Sequence, residues 1–220
     1  MIESTERFVF TKDWITLIFV LLFGLFVLSK YLNPDRFSRL FSLIYSRNYL
    51  VLYQKQAPVL VNSFHIIFSI IQILTFALTI FIGIKAYNSI ARELELTFFI
   101  TILAGVFTFF VLRFFIGKAL SVLFQREKDF EYVTYLKMSY LSNFSLLIFP
   151  LLLIAYYIKY DSLGFSFFVF ILAVVLLLLY YALIIKNNQK MVLKRLFYFI
   201  LYLCALEIAP IILLYKLFIL

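Results

Sequence analysis

The sequence predicts an all-α fold, a polytopic transmembrane bundle of about six spans with one amphipathic helix beside it. Three observations predict it. Hydrophobic residues make up 65% of the 220 residues, charged residues only 14%, and the apolar residues gather in six long stretches. Soluble domains are nearer about 45–50% apolar. A soluble globule of this composition would leave large apolar patches in water. With lipid as the solvent the composition is ordinary.

The six stretches run over 14–32, 62–84, 94–116, 136–158, 163–185 and 197–219. Each meets the length of about 20 residues that a bilayer core requires. Helix is expected for all of them, because each backbone donor then finds its acceptor inside its own segment. A barrel would need shorter segments of alternating polarity, and runs such as Leu176 to Leu179 do not alternate. The first stretch follows a mixed-charge N-terminus and is not followed by a small-residue cleavage site, so it is expected to be a retained helix. The fourth and fifth are joined by a short link around Asp161, which forces an antiparallel hairpin. No low-complexity linker or internal repeat divides the chain, and a single transmembrane domain over 1–220 is expected.

Charge gives the orientation. Of the 20 Lys and Arg residues, 14 flank the first, third and fifth loops and six flank the opposite side. The positive-inside rule then places the three odd loops in the cytoplasm and both termini outside. The net charge of +9 lies between apolar blocks, so anionic headgroups on the cytoplasmic side are the expected partner and nucleic acid is not.

The first loop carries its own helix, expected over about 34–47. Asn33 suits a cap and Pro34 a first turn. Phe37, Leu40, Phe41, Ile44 and Tyr45 share one face, while Arg36, Arg39 and Arg47 lie on the other. Such a helix either lies in the interface with its arginines on lipid headgroups or a partner, or packs on the cytoplasmic ends of the bundle. The third loop holds the mixed-charge run from Gln125 to Glu131, read as a solvated turn.

Ionisable and strongly polar groups inside spans are costly, and each is a candidate by default. Glu207 sits near the middle of the last span, three residues before Pro210. At that depth a carboxyl is expected to be protonated unless paired, and Pro210 marks a kink. The group serves either a proton-coupled movement or, more plainly, a hydrogen bond that ties the bundle. Gln72 is expected at a similar depth and is a candidate partner for it. His65 and Arg113 lie near the cytoplasmic ends of their spans, His65 as an interfacial polar group and Arg113 reaching toward the headgroups. Asn143 and Pro150 mark a polar contact and a second bend in the fourth span. Thr101, Gly105 and Thr108 recur at helical spacing and suggest a close helix contact.

Several chemistries lack their signatures. There is no glycine-rich phosphate loop, no His-Glu-x-x-His helix and no nucleophile elbow. A single histidine does not make a multi-ligand zinc site. No catalytic residue, metal or cofactor is therefore assigned. Cys204, the one cysteine, lies within an apolar run and reads as a small buried hydrophobe.

The stretch over 196–216, with Leu203, Cys204, Leu206, Glu207, Ile208 and Pro210, resembles the C-terminal motif of a bacterial integral membrane family of the Bacteroidota, a domain of unknown function. Asn33 and Pro34 followed by Arg36 and Phe37, and Asn143 ahead of Pro150, are similar to that family as well. The resemblance covers most of the chain. It implies a bacterial inner-membrane location and places Cys204, Glu207, Pro210 and Lys216 in the motif, and it implies no activity. Three functions stay open: a structural or interaction subunit of a membrane complex or homo-oligomer, a small transporter or channel subunit using Glu207, and a membrane-embedded enzyme acting on a lipid-linked substrate through His65 and Arg113.

Overall fold

A peptide group surrounded by hydrocarbon must be paired within the protein, and a helix pairs it within its own segment. The computed structural model follows that constraint. It describes residues 13–41, 43, 63–87, 95–123, 125, 127–157 and 162–187, and among them there is no strand. The described helices are α1 (Asp13–Leu32), α2 (Pro34–Phe41), α3 (Ser63–Tyr87), α4 (Glu95–Leu123), α5 (Glu127–Tyr157) and α6 (Ser162–Asn187). All but α2 are long and apolar enough to cross a membrane. They correspond to the first five expected spans, and the sixth, over 197–219, lies outside the described residues.

Ring contacts fix the directions of the helices. Trp14 packs on Phe81 and Phe26 on Phe68, so α1 and α3 run antiparallel. Phe76 meets Phe110 while Phe81 meets Phe99, which makes α3 and α4 antiparallel too. His65 meets Tyr135 and Phe76 stacks on Phe144, so α3 and α5 run parallel. The C-termini of α1, α4 and α6 therefore share one end of the bundle with the N-termini of α3 and α5. Lys30, Lys118 and Lys186 are exposed at that end, called the basic end below. The central helices are α3 and α5, each with more than half of its apolar window buried, whereas α4 has only 17% buried.

At the basic end, α4 and α5 run further than expected. Their 29 and 31 residues give lengths of about 44 and 46 Å at about 1.5 Å per residue, against a hydrocarbon core of about 30 Å. The turn expected from the mixed-charge run is thus confined to its start, and Glu127 to Glu131 are helical. The chain turns at Gln125, with φ at 54° and its N–H bonded to the Val122 carbonyl at 3.1 Å. Glu127 to Glu131 form the first turns of α5, where acids favour the positive end of the helix dipole. Charge signals the exit from lipid, and it does not end a helix.

At Asn33 the chain changes direction for a local reason. A residue before proline is pushed out of the helical region, and Asn33 is the one non-helical residue between α1 and α2. Its N–H still bonds the Ser29 carbonyl at 3.1 Å, closing α1, while its carbonyl accepts from Phe37 N–H at 3.0 Å, opening α2. Pro34 takes the first helical position, where no N–H is needed. Helix α2 keeps its apolar face against the bundle. Leu40 and Leu43 are buried, and Phe37 lies 6.3 Å from the ring of Phe68.

Gly83 allows α3 and α6 to approach closely. A Cβ built there would collide with the ring of Phe170, 2.8 Å from Cε2. Gly83→Ala is expected to destabilise the bundle by about 1–3 kcal/mol. In a double-mutant cycle with Phe170→Leu, thermal unfolding in detergent should show the two changes costing less together than their sum. At the hairpin tip, Gln125→Gly is expected to stabilise by about 1 kcal/mol through relief of the left-handed conformation, and Gln125→Val to destabilise. A Gly variant with the lower unfolding midpoint would refute the turn geometry.

Candidate functional site

The parallel register of α3 and α5 brings the polar residues of both helices into one cluster. His65 faces Tyr135 and Gln72 faces Ser142 at the same sequence offset. Ser139, Ser142, Asn143 and Ser145 are all buried on α5; Ser139 donates to the Tyr135 carbonyl of its own helix, Ser145 Oγ has no hydrogen-bond partner among the described residues, and Ser142 and Asn143 bond across helices. Gln72 is 2% exposed. Its side-chain amide donates to the Met138 carbonyl at 3.1 Å and to Ser142 Oγ at 3.0 Å. The Ser142 hydroxyl donates in turn to the Met138 carbonyl at 2.7 Å.

Asn143 makes the longest-range tie. It is fully buried. Its Nδ2 donates to the backbone carbonyl of Leu40 at 2.6 Å, and its Oδ1 accepts from the Tyr180 hydroxyl at 2.5 Å. One side chain thereby joins α2, α5 and α6. The carbonyls in the last turn of a helix are short of intrahelical donors, and Asn143 supplies one to Leu40. The register gives the depth. Gln72, level with Ser142, is nine residues past the start of α3, or about 14 Å. Helical side chains lean toward their N-terminus, so the Asn143 amide reaches back toward the basic end. Leu40 then lies roughly 10 Å below the first residue of α3. Helix α2 dips into the bundle and does not lie flat across its end.

Nearer the basic end lies His65. His65 is 4% exposed and is enclosed by Phe64 and Tyr135, with ring centroids 5.7 and 5.8 Å away. Its Nδ1 has no hydrogen-bond partner among the described residues. Arg113 donates to the Tyr181 hydroxyl at 3.3 Å, and Lys137 Nζ sits 5.8 Å from the centroid of the same ring. His65 and Arg113 thus engage different helices, α5 and α6.

Of the sequence candidates, the structure places Gln72 and Asn143 at one depth, His65 nearer the basic end, and Arg113 against Tyr181 on α6. Gln72 donates to α5; its expected partner Glu207 lies outside the described residues, as do Pro210 and Arg47. Arg36 is half-buried on α2, and Arg39 belongs to α2 with its side chain outside the described set. Pro150 is exposed, and α5 continues through it to Tyr157. Thr101 and Thr108 are exposed and donate to the carbonyls of Thr97 and Ala104 in their own helix. Sequence reasoning passed over Ser142, Lys137, Tyr180 and Tyr181. The serine spacing on α5 and the tyrosine pair ending an apolar run were the available signals.

The deep layer makes a direct prediction. Asn143→Ala removes a donor from the Leu40 carbonyl and an acceptor from Tyr180, and is expected to cost about 1–3 kcal/mol. With Cys204 replaced by alanine, a Leu40→Cys reporter should react slowly with a thiol reagent and faster once Asn143→Ala is added. Equal rates would show that the amide does not hold α2.

Comparison with known proteins adds one finding. No curated protein and no solved structure matches the chain. A family model does, over residues 15–218, from within α1 through the expected sixth span. The chain belongs to the family described as domain of unknown function DUF4271.

Proposed function

We propose that this chain is a structural or interaction subunit of a bacterial inner-membrane complex, with the basic end of the bundle in the cytoplasm. One observation carries the reading: four deep polar side chains of the described spans hold helices together. Gln72, Ser142, Asn143 and Tyr180 bond to one another's helices and to α2. A transport path uses such groups to face a cavity, whereas here they tie α2, α3, α5 and α6 into one body. The outer face of α4 supports the same reading. Ile100, Phe107, Leu112 and Phe115 are exposed along it, beside the small residues Thr101 and Thr108. Small residues let a second helix approach closely in lipid, where packing replaces the hydrophobic effect as the driving force. The clustering of Lys30, Lys118 and Lys186 supports the orientation.

A photoactivatable cross-linker at Phe107, used in native membranes, should give a discrete adduct between this chain and a second polypeptide. Adducts confined to lipid or to the chain itself would contradict the reading. Glu207→Gln, which copies a protonated acid, should leave that adduct and the abundance of the protein unchanged. Loss of the adduct at normal abundance would assign the carboxyl an active role instead.

A further inference from the structure

Two registers fix the depth of Arg113. Phe110 meets Phe76 across antiparallel helices, so Arg113, three residues on, lies level with Ile73. Gly83 lies against Phe170 across α3 and α6, which sets Tyr181 level with Gln72 in the same way. The two agree, since the Arg113 guanidinium donates to the Tyr181 hydroxyl at 3.3 Å. Both groups therefore lie about 14 Å inside the start of α3, at the depth of Gln72 and Asn143. Arg113 is thus deeper than the headgroup position expected for it. Arginine keeps its charge at any depth, and a cation this far into a bilayer is found with acidic or carbonyl partners.

The sequence supplies one carboxyl for that depth. Helix α6 ends at Asn187, at the basic end, and the link 188–196 leads to the span expected over 197–219. A span there starts at the basic end and runs parallel to α3. Glu207, ten residues along it, then comes about 15 Å in. Consecutive helices joined by a short link are usually neighbours, and the family model takes in this stretch together with the bundle. The described helices leave room beside α6. Helix α3 packs on both α4 and α6, while those two pack little on each other among the described residues, and Arg113 reaches across between them. Phe167, Val174 and Leu178 are exposed on α6, within about 60° of Tyr181 round the helix. We propose that the span over 197–219 lies between α4 and α6, with the Glu207 carboxyl accepting from the Arg113 guanidinium and the Tyr181 hydroxyl. This goes beyond the proposed role as a subunit and does not depend on it, because Phe107 lies about 120° round α4 from Arg113.

Two experiments on the full chain test the placement and the pair. A photoactivatable residue at Leu178, used in native membranes, is expected to give an adduct within the same polypeptide that maps to 197–219. The same residue at Leu17, exposed on α1, should give none with that segment. Leu178 adducts confined to lipid or to a second polypeptide would overturn the placement, and they would leave the Phe107 result as it stands. Arg113→Glu and Glu207→Arg are each expected to lower the unfolding midpoint in detergent by roughly 5–10 °C. The double reversal should recover most of that loss. Where a single reversal does not accumulate, recovery of abundance in the double variant is the same readout. Losses that simply add in the double variant would overturn the pair. Glu207→Gln keeps an oxygen for the guanidinium and should leave the Leu178 adduct in place.

Discussion

The amide of Asn143 holds together what hydrocarbon alone does not. Lipid tails are as apolar as leucine, so burying leucine between helices gains little over leaving it in lipid. A buried hydrogen bond differs, because the unpaired alternative is costly. By donating to Leu40 and accepting from Tyr180, Asn143 ties a short helix to two long ones. The placement of α2, the spacing of α5 and α6 and the burial of Leu40 are coupled through that tie. Gln72 does the same between α3 and α5.

Aromatic packing fills the space between these ties. The chain has 29 Phe and 16 Tyr residues, and many meet edge-on or tilted across helices. Examples are Trp14 with Phe81 and Phe99, and Phe26 with Phe68 and Phe149. These arrangements suit the ring quadrupole and add to dispersion. Gly83 shows the other side of such packing, where the absence of a side chain is what admits Phe170. The tyrosines divide by partner. Tyr180 bonds inward to Asn143, while its neighbour Tyr181, one residue nearer the basic end, meets Arg113 and Lys137.

Much of this was legible in the sequence, and the limits have physical causes. The spans were visible because a bilayer imposes a length and a composition, and both are local properties. The break at Asn33 and Pro34 was visible because proline acts on its immediate neighbour. Gln72, His65, Arg113 and Asn143 could be singled out because polarity in an apolar run is conspicuous. Their partners could not, since pairing depends on the register of α3 against α5 and on the direction of α2, which no local pattern encodes. The ends of α4 and α5 were missed because charge marks where lipid stops and not where a helix stops. The hydroxyls of Thr101 and Thr108 bond their own helix, so the spacing of small residues marks a face without naming what packs on it.

Everything else depends on α2 entering the bundle. Spin labels placed singly along residues 35–41, in liposomes, would measure access to oxygen, which partitions into lipid, and to a nickel chelate, which stays in water. A label at Leu40 should be shielded from both, because the residue is fully buried in protein. High oxygen access at that position would mean that the apolar face rests in lipid and that the helix lies along the surface, contradicting the tie to Asn143.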